Sequence, residues 1–239
     1  MNTTFTIAIR EYASFFRSSI GWLVIALYLF LSGLWFAYET INPGQPASMR
    51  ALFNVSQWLL LIVAPAISMR LLADEFRSGT IEPLMTAPIS DWNIVIGKYI
   101  AAVAFLATML APTLVHVGVL ELLASPDYGP IIAGYSGLML VGAAYLAVGL
   151  FFSSLTKNQI VAFLSTFFFF LLLVFVSSPN VASLVSEPYR SLLFGLSINL
   201  RIADFSKGVF DTSHAAFFAA MVVLFVVLSV VGVESRRWR

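Results

Sequence analysis

Residues 71–98 read LLADEFRSGTIEPLMTAPISDWNIVIGK, a polar, amphipathic island between two hydrophobic runs that are each long enough to cross a bilayer. Ser78-Gly79-Thr80 interrupts any helix continuing from the run before it. Thr80 can then cap a new helix, its hydroxyl accepting a backbone N–H. Glu82 suits the positive helix end, and Pro83 falls in the first turn, where a missing N–H does no harm. Ile81, Leu84 and Met85 form an apolar stripe and Pro88 ends the segment. Ser90 or Asp91 can cap the next helix, which leads through Trp92 into the following run. The spacing predicts a short helix across one membrane face, stiffly joined to two spans. Such a helix can pack on its own protein or serve as a handle for a soluble partner, and periodicity does not separate the two.

Working outward, the whole chain is apolar. Of 239 residues, 60% are hydrophobic and 10% charged, against roughly 25% charged in a soluble domain; mean hydropathy is +0.93. That is a polytopic membrane protein with little soluble mass. A net charge of +1 gives no field that argues for nucleic acid. The absence of cysteine excludes disulfides, thiolate metal sites and Cys nucleophiles. The opening MNTTFTIAIREYASFFRSS is too polar and mixed for a cleavable signal, and none is expected.

Six runs approach the ~20 residues that cross a bilayer: 20–38, 52–69, 94–117, 131–155, 160–176 and 215–233. Pro112 and His116 in the third, and Gly134, Gly137, Gly142 and Gly149 in the fourth, suggest spans that face protein along part of their length. An even number places both termini on one side. With both inside, Arg10, Arg17, Arg70, Arg77, Lys98, Lys157, Arg236, Arg237 and Arg239 are cytoplasmic, and only Arg50, Arg190, Arg201 and Lys207 are outside. That bias follows the positive-inside rule and puts the island in the cytoplasm.

Phe5, Ile9, Tyr12 and Phe16 share one helical face, which predicts an interfacial helix over 1–19. The connection over 177–213 carries recurrent apolar residues, among them Leu192, Leu193, Phe194, Ile198, Ile202 and Phe205. Short helices re-entering the outer leaflet fit it better than an open loop. The fold class read from this pattern is all-α: one transmembrane domain over 1–239, with a cytoplasmic coupling region at 70–93.

No catalytic constellation emerges. His116 and His214 have no carboxylate or second histidine at metal-ligand spacing, and no zinc-protease, nucleophile-elbow or phosphate-loop motif occurs. His116 and Glu121 fall near the outer end of the third span, where headgroups or water are expected to meet them. Lys98 is expected to snorkel to the inner headgroups. The phenylalanine run 167–170 reads as packing and lipid-facing surface. Neither inverted repeats nor mid-membrane charges support a secondary transporter or channel.

Glu75-Phe76-Arg77-Ser78-Gly79-Thr80-Ile81-Glu82-Pro83-Leu84, then Pro88-Ile89-Ser90 and Gly97-Lys98, resembles the E-x-x-x-G-T-x-E-x-L…P-[IV]-S…G-K signature of ABC-2 type ABC-transporter permeases. Residues 149–162, GLFFSSLTKNQIVA, and 205–211, FSKGVFD, are similar to blocks of the gliding-motility type of permease, the transmembrane subunit of type V exporter-like systems. Pro83 departs from the usual pattern. The resemblance implies a six-helix permease half pairing with a second copy or paralogue, with a cytoplasmic ABC ATPase docked beneath. It also implies an auxiliary membrane-anchored protein with an extracytoplasmic domain. Glu75, Arg77, Gly79, Thr80, Glu82, Leu84 and Pro88 would form or shape the coupling helix. The chain itself would hold no cofactor, ATP and Mg residing on the ATPase. The expected setting is a bacterial inner membrane, and the expected output export or extracytoplasmic work. The competing reading is a scaffold that relays ATPase motion to an outer partner and moves no substrate.

Overall fold

The computed structural model describes residues 3–40, 48–80, 89–184, 186–187 and 189–235. All regular elements among them are helical. In order they are α1 (Thr3–Arg17), α2 (Ser19–Thr40), α3 (Arg50–Ser68), α4 (Ala73–Ser78), α5 (Asp91–Leu110), α6 (Leu114–Leu123), α7 (Tyr128–Leu155), α8 (Gln159–Val176), α9 (Pro179–Ala182), α10 (Tyr189–Gly195), α11 (Ile198–Ser206) and α12 (Thr212–Glu234). Six helical segments are long and apolar enough to cross a membrane: α2, α3 with α4, α5 with α6, α7, α8 and α12.

Polar side chains fix where the spans begin. Ser90, Asp127, Asn158 and Asp211 each accept a backbone N–H from two residues on, from Trp92, Gly129, Ile160 and Ser213. Each satisfies a donor that the first helical turn leaves free. Ser90, rather than Asp91, is the cap of α5. Pro112 cannot donate, and the third span tightens there into a 3₁₀ turn, Ala111–Thr113. Thr113 Oγ1 donates to Leu110 O at 2.6 Å, and it also meets the Tyr135 hydroxyl of α7 at 2.9 Å.

Helix α7 is the axis of the bundle, packing on α3, α5, α8, α11 and α12. Its glycines make this approach close. A Cβ at Gly134 would collide with Phe53, at Gly137 with Phe205, at Gly142 with Leu106 and at Gly149 with Ser68. Two-thirds of its spanning window is buried (67%), against 17% for α8. The phenylalanine run of α8 divides accordingly: Phe170 is buried on Tyr145 and Phe169 meets Phe152 and Phe225, while Phe168 is exposed.

Helix α1 runs alongside the first turns of α5 in the same direction. Thr4 bonds Asn93, Ile7 rests on Gly97 and Phe15 stacks on Phe105 at 4.5 Å. Its buried apolar side chains are Ile7, Ala8 and Phe15, whereas Phe5 and Ile9 of the expected stripe are exposed. Tyr12 and Phe16 are half-buried against the core. The helix therefore has two apolar sides, one of which fits into the notch left by Gly97.

Candidate coupling site

The second span does not simply end. After Ser68 the chain turns, and Ser153 of α7 holds that turn: its Oγ accepts the N–H groups of Leu72 (3.1 Å) and Ala73 (2.9 Å) and donates to Met69 O (3.0 Å). One buried hydroxyl thus satisfies the start of α4 and ties it to the axis helix. Asp74 accepts from Gln159 Nε2 at 2.7 Å, which links α4 to the beginning of α8.

Glu75 makes the third link. Its Oε1 lies 2.9 Å from Lys98 Nζ of α5, and Glu11 Oε2 of α1 lies 3.2 Å from the same ammonium. Arg10 approaches Glu75 at 3.9 Å. Lys98 is fully buried (0% exposed), so the expected snorkelling does not occur. Two carboxylates compensate the desolvation that would otherwise expel the ammonium. Among the described residues Lys98 Nζ has no directed hydrogen bond and Glu75 Oε2 is buried without a partner. This is a charge-balanced knot joining α1, α4 and α5.

The signature residues sit around that knot. Arg77 is exposed and pairs with Asp74 at 3.4 Å. Gly79 closes α4 in the left-handed region, φ 73°, where a side chain would be strained. Thr80 is exposed, its hydroxyl 2.9 Å from that of Ser78. Glu82, Leu84 and Pro88, with the rest of the expected coupling helix over 81–87, lie outside the described residues. Among the described residues no three His, Asp or Glu side chains cluster to hold an ion. What the site provides is a junction that ties α4 to α1, α5, α7 and α8.

Sequence reasoning missed Glu11, Lys98, Ser153 and Gln159 as parts of this junction. Glu11 had a readable signal, since it shares a heptad-like face with Ile7, Ala8 and Phe15.

The other end of the bundle holds a second polar cluster that spacing did not reveal. His214 Nε2 is 3.2 Å from Asp204 Oδ2, and its Nδ1 is 2.9 Å from Arg201 Nη1. Because arginine can only donate, Nδ1 accepts and Nε2 carries the proton. Lys207 also pairs with Asp204 at 3.3 Å, and the Arg201 guanidinium lies 4.1 Å from the Phe217 ring centroid. The hydrogen bond from His214, then Lys207, holds the Asp204 carboxyl below its ordinary value. The Ser213 backbone N–H does the same for Asp211. This relay docks α11 onto α12. His116 has local partners as well: Nδ1 is 2.9 Å from Thr113 O and the ring sits edge-on to Phe36. Glu121 is exposed.

Six helices long and apolar enough to cross a membrane, one of them the close-packed axis α7, define a multi-pass membrane protein. The chain belongs to the ABC-2 family of transporter proteins, whose family model matches residues 5–237. Over 105 residues it is 30% identical to "Probable multidrug ABC transporter permease YbhR" of Escherichia coli (strain K12), and equally to the protein of that name in Escherichia coli O157:H7. The matched stretch covers 44% of this chain and 28% of each relative, so the chain spans little more than a quarter of their length in the match. Membership points to a transmembrane subunit of an ABC transporter.

Proposed function

We propose that this chain couples ATP hydrolysis on a separate ABC ATPase to export or extracytoplasmic work. The single observation that carries the reading is the buried Glu11–Lys98–Glu75 knot. It fastens α4, the helix leading directly into residues 81–87, to two other helices of the bundle. A push delivered at that segment would be transmitted as a rigid-body displacement, a hinge or shear motion. Its driving force would be the different contacts the ATPase makes in its nucleotide states.

In this reading both termini and the knot face the cytoplasm of a bacterial inner membrane. A second copy or paralogue completes the permease, and the exposed apolar face of α8 is a surface available to it. The gliding-motility subtype, with an auxiliary extracytoplasmic partner, is supported by the blocks at 149–162 and 205–211. The multidrug designation of the relative is in keeping with export.

The test is reconstitution of the chain with its ATPase in vesicles. Thr80→Trp should leave ATPase binding and thermal unfolding near wild-type yet lower transport at least tenfold. Gly79→Val should lower transport as much while also lowering the unfolding midpoint, because a β-branched residue at φ 73° is strained. Unchanged transport in both variants would refute the coupling role.

A further inference from the structure

Around the knot, charges balance in one part and not in another. A groove of about 410 Å³ beside it is lined by Glu11, Asp74 and Glu75 and by Arg10, Arg17 and Arg70. The three carboxylates are matched by three cations within 4.0 Å: Lys98, Arg10 and Arg77. Arg17 and Arg70 have no carboxylate at that distance among the described residues, which leaves two positive charges at one end of the groove.

Their placement is specific. Arg17 closes α1 two residues before the span α2 begins, and Arg70 follows the span α3 by two residues. Arg70 is held in place, with Nη1 donating to Ser18 Oγ at 2.9 Å and Cζ lying 5.6 Å from the Phe15 ring centroid. Both cations therefore sit beside the ends of two long apolar helices, α2 and α3. Next to them Trp22, 58% exposed, donates its indole N–H to Phe16 O at 2.9 Å, an interfacial aromatic with one polar tether. From there Leu23, Leu27, Phe30 and Leu34, all exposed, continue along one face of α2.

Two cations with no carboxylate partner among the described residues, Arg70 anchored and Arg17 exposed, lie beside an apolar helix face and match the two ends of an amphiphile. We infer that this end of the groove binds the phosphodiester headgroup of an anionic phospholipid. Arg17 and Arg70 contact the phosphate and the acyl chains lie along α2. The inference rests on the charge count and on the position of these side chains, and it is independent of the ATPase reading.

The test uses the purified full chain in mild detergent, titrated with phosphatidylglycerol, with phosphatidylcholine and with inorganic phosphate, and followed by native mass spectrometry. Phosphatidylglycerol should be retained in preference to phosphatidylcholine, less so at high salt. The R17Q/R70Q pair should weaken its binding roughly thirty-fold, and R17Q alone about five-fold, as expected for one or two basic contacts at a membrane surface. R17K/R70K should bind like wild type, and R50Q/K207Q, neutralised elsewhere, should be unaffected. Arg17 makes no ion pair, so R17Q reports on binding even if the double variant fails to fold. Equal retention of the two lipids, or undiminished phosphatidylglycerol binding by R17Q, would overturn the proposal. Competition by inorganic phosphate at equal concentration would reassign the groove to a free anion and overturn it as well.

Discussion

The two ends of the bundle each hold a carboxylate–cation cluster, yet the clusters differ in kind. At the α1–α4–α5 end Lys98 is sealed from solvent and shared by two carboxylates. At the α11–α12 end Asp204 and Lys207 are 40% and 57% exposed, and the histidine and arginine around them are held by directed hydrogen bonds. Burial sets what each can do. A sealed ion pair cannot give up one member without stranding the other in a poor solvent. An exposed one exchanges partners with water at little cost. The first therefore behaves as a weld and the second as a latch.

The sharpest way to break that contrast is Lys98→Met. Leaving Glu11 without its cation and Glu75 with only Arg10 at 3.9 Å should destabilise the fold by about 3–5 kcal/mol, read as a lowered midpoint of thermal unfolding in detergent. Combining it with Glu11→Gln and Glu75→Gln should recover most of the loss, because the strand of buried charge is then removed. A cost below about 1 kcal/mol for Lys98→Met would place the knot with surface pairs and erase the distinction.

Ser153→Ala comes next. It leaves the N–H groups of Leu72 and Ala73 without their shared acceptor, which should lower stability by about 1–3 kcal/mol. Amide hydrogen exchange at residues 72 and 73 should accelerate, while α11 stays as protected as before. Acceleration spread evenly over both ends would show that the junction is not a separate unit.

The smallest effect belongs to the latch. The Asp204 carboxyl is lowered by its hydrogen bond from His214, so its contribution is present above the ordinary carboxylate value of 3.8 and is lost as pH falls through the lowered one. Asp204→Asn should therefore be less stable than wild type at neutral pH, with the gap closing below about pH 4. A gap that is constant from pH 7 to pH 3 would exclude an electrostatic origin.

Much of the architecture was legible because the bilayer enforces it. Each crossing needs a long apolar run, and Ser90, Asp127, Asn158 and Asp211 stand where those runs begin. The α7 glycines likewise announce close packing, since residues with no side chain let Phe53 and Leu106 approach the backbone. The site was readable only in part. Glu75 and Gly79 carry a local pattern, but Lys98 looked like a snorkelling residue because its compensating charges lie 87 and 23 positions away, at Glu11 and Glu75. A change of helix hid Asp204 from His214, ten residues apart. Ser153 gave no signal, since a serine in an apolar helix usually bonds back to its own turn.

The direction in which α1 follows α5 has a consequence for biogenesis. Glu11 and Glu75 both precede Lys98 in the chain, so each carboxylate has left the ribosome before the ammonium emerges. The lysine is thus made after both of its counter-ions. Moving residues 3–17 to the far terminus would place Glu11 after Lys98 and leave Glu75 as the one carboxylate of the pair made before it.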